Sequence, residues 1–368
     1  MKKVILLVLV IMMIVSAFAG CGASNNASAS PSASESTAES ANESAAPGEV
    51  SSSAVKTGLG SDISLAKSAS VSADKDALAE IDTAMAAVTL DADGKIINVK
   101  IDMVQPMVNF DAQGQLKSDT KQEIKTKVEL GNAYGMAKAS GIGKEWYEQI
   151  AALEDWMVGK TIDEVMGMKM NEEGVSTEAD LTSSVTIHVT SYLAAVQKAV
   201  ANAKDFGAAV SGATKTGIGN VTSIAKSAGA TADADAVAQA DIIMAAVTID
   251  QDNKIVGVVI DNGQVKVNFD AKGMLITDAA SKPKTKVELG DEYGMKKASS
   301  IGKEWYEQIA ALGQWMIGKT IDEVKAMKTA QKDEAHPAVP AEADLTSSVT
   351  VSVQDYIAAV EKAIATAD

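Results

Sequence analysis

Residues 127–165 read KVELGNAYGMAKASGIGKEWYEQIAALEDWMVGKTIDEV, and residues 286–324 read KVELGDEYGMKKASSIGKEWYEQIAALGQWMIGKTIDEV, with seven replacements in thirty-nine positions. Working outward at the same spacing, Thr57 meets Thr216, Met85 meets Met244, Phe110 meets Phe269, Trp146 meets Trp305 and Trp156 meets Trp315. The chain reads as one unit of about 150 residues written twice, a period far above that of a solenoid repeat and typical of a domain. After Lys169 and Lys328 the second copy carries five extra residues around His336, Pro337 and Pro340, and the register resumes with Asp180 on Asp344. Extra residues of this kind belong in a loop. The expected organisation is copy one over 55–204, a linker over 205–213 and copy two over 214–368.

Within a copy the hydrophobic period changes from two to 3.6. Ala87-Val88-Thr89-Leu90 and Ile96 to Ile101 flank Asp91-Ala92-Asp93-Gly94-Lys95, which predicts a hairpin, and Asp111-Ala112-Gln113-Gly114 marks a second turn. Copy two has Asp250-Gln251-Asp252-Asn253-Lys254 and Asp270-Ala271-Lys272-Gly273 in these places, with Asn253 able to take the left-handed conformation of Gly94. Trp146, Ile150, Leu153 and Met157 then fall at helical spacing, Thr161 before Asp163-Glu164 reads as the cap of a shorter helix, and a third helix is expected from Tyr192 to Ala203. The predicted fold class is α+β: two tandem copies of an antiparallel-sheet domain with helices packed on one face.

Composition narrows the function. The 368 residues are 46% hydrophobic but only 4% aromatic, so small aliphatic side chains must fill the core. Forty-nine acids stand against 33 bases, a net charge of −16 that opposes binding to nucleic acid through general electrostatics. Every base is Lys, which removes the planar fork used for phosphate and carboxylate clamping. The two histidines are not shared, since His188 faces Ser352 and His336 lies in the insertion, so neither a hydrolase triad nor a repeated metal site is expected. The acidic turns lack the bidentate Glu of a calcium loop. Trp146 and Trp156 read as core anchors rather than a flavin or sugar stack, and Glu145 with Glu148 read as solvated surface.

The N-terminus reads as an address. Lys2 and Lys3, the apolar run Val4 to Val15 and the small residues Ser16 to Gly20 lead to Cys21, the single cysteine. Residues 1–21 resemble a bacterial lipoprotein signal with lipidation at Cys21; the alternative is a secreted protein with one unpaired thiol. With Cys21 acylated, no thiol chemistry or cysteine-based metal site remains. Residues 22–54, rich in Ser, Ala and Glu, read as a disordered tether with a mean reach of about 30 Å.

One element recurs that packing explains poorly: Asp180-Leu181-Thr182-Ser183-Ser184-Val185-Thr186 and Asp344-Leu345-Thr346-Ser347-Ser348-Val349-Thr350, four hydroxyls beside an acid. Its plain reading is a turn leading into the strand-like alternation of Val185 to Val189. It also resembles the attachment sequence of the FMN-binding domain family, in which an Asp is followed after two residues by Ser or Thr and then Gly-Ala-Thr, and a flavin transferase joins FMN to the last Thr. The resemblance places Asp180, Ser183 and Thr186, and Asp344, Ser347 and Thr350, on matching positions. Ser184 and Ser348 stand for Gly, and Val185 and Val349 for Ala, changes that restrict the backbone and crowd the Thr. Gly94-Lys95-Ile96 in the first hairpin supports the same family. A more literal Ser211-Gly212-Ala213-Thr214 has Ala208 where the Asp should stand, and Val55 faces Thr214 in copy one, so it reads as coincidence. Amides and hydroxyls ahead of a helix could receive the phosphate without Arg.

The resemblance implies two covalent FMN groups, on Thr186 and Thr350, and an electron carrier rather than a catalyst in its own right. It implies a lipid anchor on the extracytoplasmic face of the cell membrane, a flavin transferase for maturation, a membrane quinone-linked donor and external acceptors. No catalytic residue and no metal is assigned. The alternative from the residues alone is a non-redox, duplicated surface adhesion or ligand-binding lipoprotein.

Overall fold

The computed structural model describes residues 55–368; the lipoprotein signal, Cys21 and the tether lie outside the described residues. The first half runs β1 (Lys56–Ser64), β2 (Ala77–Glu80), β3 (Asp82–Leu90), β4 (Ile96–Val104), β5 (Met107–Phe110), α1 (Lys127–Leu130), α2 (Trp146–Met157), α3 (Ile162–Met166), α4 (Thr190–Ala201) and β6 (Lys204–Asp205). The second half runs β7 (Lys215–Ser223), β8 (Ala236–Ile249), β9 (Ile255–Phe269), α5 (Lys286–Leu289), α6 (Trp305–Met316), α7 (Ile321–Lys325) and, after a short β10 (Thr329–Ala330) and β11 (Val339–Pro340), α8 (Gln354–Ala365). This is a mixed architecture of antiparallel sheets and helices.

The hairpins form where the turns predict them. Asp91 Oδ1 accepts from Asp93 N and Lys95 N at 3.0 and 2.8 Å, and Asp250 Oδ1 does the same for Asp252 N and Lys254 N. These carboxylates are occupied by backbone donors, which is why the turns are hairpin corners. Asn253 holds φ at 58° where Gly94 holds 80°. The strands run further than expected, because Ala84 and Ala86 are too small to register as apolar periodicity yet are fully buried.

Pro106 stands where the second half has Val265. β8 and β9 are continuous and pair Ala240 with Val265. In the first half the same hairpin is cut into β3–β4 and β2–β5, and at the break Ile81 N donates to Pro106 O while Pro106 has no N–H to return.

Period-two alternation sends residues to both sheet faces, and both are buried. Ala84, Ala86 and Val88 of β3 pack with Trp146, Leu153, Leu193 and Val196 of α2 and α4, and the second half repeats this layer with Trp305, Leu312 and Val360. The opposite faces pack on each other: Leu59, Ile63, Met85 and Ala87 share one core with Ile218, Met244 and Ala246. The described residues, 55–368, form one compact unit, layered helix, sheet, sheet, helix. At its centre four buried threonines chain across the sheets, Thr57 to Thr248 at 2.7 Å, and Thr89 to Thr248 and Thr216 at 2.6 Å. Contacts are exchanged reciprocally: Lys198 pairs with Glu288 and Lys362 with Glu129, each at 2.6 Å.

β1 carries no strand signature of its own, since its sequence is KTGLGSDIS. Its glycines serve the helix above. A Cβ on Gly58 or Gly60 would collide with the Ala199 or Ala195 carbonyl of α4, and Gly217 and Gly219 meet Ala363 and Ala359 of α8 in the same way. The segment expected as a linker begins as structure, with Lys204 and Asp205 paired to β1. Among the described residues, no helix is long and apolar enough to cross a membrane.

Candidate functional site

The recurring heptapeptide sits beside the start of α2. That helix opens on a reciprocal cap: Glu148 accepts from Glu145 N at 2.7 Å, and the Glu145 carboxylate accepts from Met136 N at 2.8 Å. Glu145 is only 8% exposed and Glu304 3%, so this acid is no solvated surface charge; it fixes the 136–145 loop to the helix. Trp146 is buried and donates from Nε1 to Tyr192 Oη at 2.9 Å, whereas Trp156 is half-buried with Lys160 Nζ 4.2 Å from its ring centre.

Gln149, one turn into α2, is fully buried. Its Nε2 donates to Ser140 Oγ and to Lys144 O, both at 3.3 Å. Its Oε1 accepts from Thr186 N at 2.8 Å and from Thr186 Oγ1 at 3.2 Å. Gln308 binds Ser299, Lys303 and Thr350 with the same atoms, the Thr350 bonds again at 2.8 and 3.2 Å. The last residue of each heptapeptide is thereby held by a side chain that the sequence reading passed over. The signal was available: Gln149 falls on the apolar face defined by Trp146, Ile150 and Leu153, where a polar side chain needs a buried partner.

The rest of the motif is a compact turn. Leu181 O accepts from Ser184 N and Val185 N, each at 2.8 Å, and Leu181 and Val185 are buried beneath it. Asp180, Thr182 and Ser183 stand exposed, as do Asp344, Thr346 and Ser347; Ser184 and Ser348 are half-buried; Thr186 is exposed and Thr350 half-buried. In the second half Lys303 Nζ lies 3.5 Å from Ser348 Oγ.

Two expectations change here. Residues 185–189 alternate in burial as a strand would, but form only the bridge of His188 to Val175, closed by the bond from Val189 N to Gly174 O at 2.8 Å. Helix α4 starts at Thr190, and Thr186 N is already taken by Gln149, so the helix amides do not serve the turn. The more literal Ser211–Thr214 lies against the opposite hairpin corner, with Ser211 Oγ accepting from Gln251 Nε2 at 3.0 Å.

A second buried polar cluster underlies each sheet edge. Lys127 is 7% exposed, its ammonium 4.7 Å from the Tyr134 ring centre and 5.3 Å from that of Trp146. Burial lowers its pKa to about 8, with Lys286 in the same state. Asp102 accepts from Met103 N and Val128 N, yet burial outweighs these bonds and raises it to about 6, as it does Asp261. Glu154 is raised to about 7 by burial against the opposing pull of Lys100. Among the described residues, no three His, Cys, Asp or Glu cluster as metal ligands.

No protein-family model matches the chain, and no solved structure matches it. Over 94 residues it is 36% identical to a chlorophenol reductase of Desulfitobacterium hafniense, a similarity covering 23% of this chain and 28% of that protein. The chain thus spans little more than a quarter of the length of that curated relative, and what the two share is a segment rather than a demonstrated family.

Proposed function

We propose that this chain is a lipid-anchored, extracytoplasmic electron carrier built from two copies of one FMN-binding domain, with FMN esterified to Thr186 and Thr350. The observation that supports it is the paired threonine and buried glutamine: a hydroxyl at the end of an exposed turn, held in both halves by the same two bonds from Gln149 or Gln308. A capping turn requires no such duplication of a fully buried side chain. The name of the partial relative concerns a reductase, which agrees with redox chemistry in general and specifies neither flavin nor carrier.

The residues fit the group. Thr186 is at the surface, so an attached phosphate keeps its water, and Lys303 Nζ lies 3.5 Å from Ser348 Oγ of the second turn, with Lys144 at the matching sequence position in the first half. Attachment forms one O–P bond and releases the hydroxyl proton, so the donor flavin arrives as a dinucleotide from which a nucleoside monophosphate departs. The ester oxygen cannot donate, so the Thr186 Oγ1 bond to Gln149 is lost while the bond from Thr186 N remains, and the side chain turns outward about χ1. When bound, FMN would supply one- and two-electron chemistry between a membrane quinone-linked donor and external acceptors. The protein's part is to hold the two threonines on rigid scaffolds; Asp180, Ser183 and Ser184, with Asp344, Ser347 and Ser348, form the surface a flavin transferase would read.

The test is the denatured intact mass of protein taken from its host or co-expressed with a flavin transferase. A gain of two FMN groups, each less one water, that vanishes in the Thr186→Ala, Thr350→Ala double variant is the expected result. An unmodified mass beside an active transferase rejects the flavin and leaves a duplicated surface binding module.

A further inference from the structure

The two halves differ at one place where each sheet edge meets the other half. In the first half, Glu154 of α2 sends its carboxylate to the edge of β4, where it accepts from Ile101 N at 2.6 Å and pairs with Lys100 at 3.5 Å; Lys100 in turn pairs with Asp368 at 2.5 Å. The matching residues of the second half are Gly313, Val259 and, in the place of Asp368, Lys204. All three members of the ion triad are gone together. Gly313 packs close on β9, an added Cβ meeting Val258 O at 3.3 Å, and it carries no side chain to reach the strand edge as Glu154 does.

What remains is a cavity of about 240 Å³ between the halves. Leu59 and Phe206 line it from the first half, and Val259, Tyr306 and Ile309 from the second, with Lys204 in the lining. β9 is an edge strand like β4, and Ile260, paired with Ala245 as Ile101 is with Ala86, directs its N–H off that edge. Among the described residues no side chain accepts from it, and Lys204 makes no ion pair. An edge donor, a cation with Asp205 beside it, and walls that carry two aromatic rings therefore meet where the first half stores a carboxylate. An apolar cavity of about 150 Å³ holds benzene, so this volume holds one ring together with a short acid.

We propose that this cavity binds a small monocarboxylic acid with an aromatic or branched apolar body, its carboxylate occupying the place that Glu154 fills in the first half. The carboxylate accepts from Ile260 N and is balanced by Lys204; the apolar body lies against Phe206, Tyr306 and Ile309. Asp261 also lines the cavity, as Asp102 neighbours Glu154, and its carboxylate is already engaged by Asn262 N and Val287 N at 2.7 and 3.1 Å. The first half thus shows that this backbone tolerates a carboxylate at Ile101 beside a buried Asp. The inference does not rest on flavin attachment: it concerns a different surface and has its own readout.

The experiment titrates the full chain with phenylacetate by calorimetry and follows the Ile260 amide by NMR. Saturable binding that moves the Ile260 resonance is expected, weakened about tenfold or more for neutral phenylacetamide and in the Val259→Lys, Gly313→Glu variant, which restores the internal carboxylate. Lys204→Ala, at an exposed position that leaves the core intact, should weaken phenylacetate several-fold and leave phenylacetamide unchanged. Absence of saturable binding by phenylacetate and by isovalerate, or equal affinity in the double variant, overturns the site. Equal affinity for acid and amide overturns the role of the carboxylate.

Discussion

The edge of β4 and the edge of β9 share a backbone and differ in what fills the space beside them. At the first, Glu154, Lys100 and Asp368 close the gap with charge; at the second, Gly313, Val259 and Lys204 leave it open. Burial raises Glu154 to about 7, so the ion triad is held at a cost in desolvation that its bonds only partly offset. Two sheet edges with the same strand pairing thus carry a filled and an unfilled version of one site, and they differ there at three positions. The hairpins teach a similar lesson on a smaller scale, since one proline divides in the first half what stays continuous in the second.

The largest expected effect probes what the halves have in common. Gly60→Ala and Gly219→Ala each drive a Cβ into a helix carbonyl, and each should cost about 3 kcal/mol or more in denaturant unfolding. A large loss at one position and none at the other would show that only one strand–helix contact is tight. Next in size, Glu154→Ala takes the acceptor from the Ile101 amide and leaves Lys100 to Asp368 alone, and should cost about 2 kcal/mol at pH 8, whereas Gly313→Ala, whose Cβ presses on Val258 O at 3.3 Å against a gain in helix propensity, should change stability by no more than about 1 kcal/mol. Equal costs would erase the contrast between the edges.

The pH profile is expected to be smaller and two-sided. Asp102 and Asp261 (about 6) and Glu154 (about 7) titrate above their unfolded values, so they contribute stability fully present at acid pH and lost as pH rises through 6 to 7. Lys127 and Lys286, lowered to about 8, contribute stability present above the unfolded value of 10.5 and lost as pH falls through 8. Stability should therefore pass through a minimum between pH 7 and 8, and Glu154→Gln should flatten the acid limb; a maximum at neutral pH would contradict the buried charge assignments. The smallest effect is that of Pro106→Val, which returns one ladder donor and should add up to about 1 kcal/mol, seen as slower amide exchange at Ile81 and its neighbours. Unchanged exchange there would place the cause of the break elsewhere.

Legibility in the sequence followed distance along the chain. The hairpin corners, the Thr161 and Thr320 caps and the α2 and α6 helices were readable because each rests on residues within four positions of one another. β1 was not, because its glycines answer to the α4 carbonyls, more than 130 positions away. Glu145 was misread as solvent-facing because its partner, Met136 N, lies in an irregular loop that carries no pattern. At the candidate site the turn and its exposed hydroxyls were readable, and Gln149 was not, since a lone Gln in a helix declares nothing until its partner at Thr186 is brought to it.

The sequence by itself determined that a pattern of hairpins followed by helices occurs twice, where its turns fall and which short motif recurs. These are properties of local backbone preference and of period. The tertiary structure alone decided that the second face of each sheet meets the other sheet rather than water, that four threonines from both halves join at the centre, and that one edge holds an ion triad while the other holds a cavity. Alternation marks a strand's two faces but not what covers each of them, and that choice is made only when strands far apart in the chain bury apolar surface together.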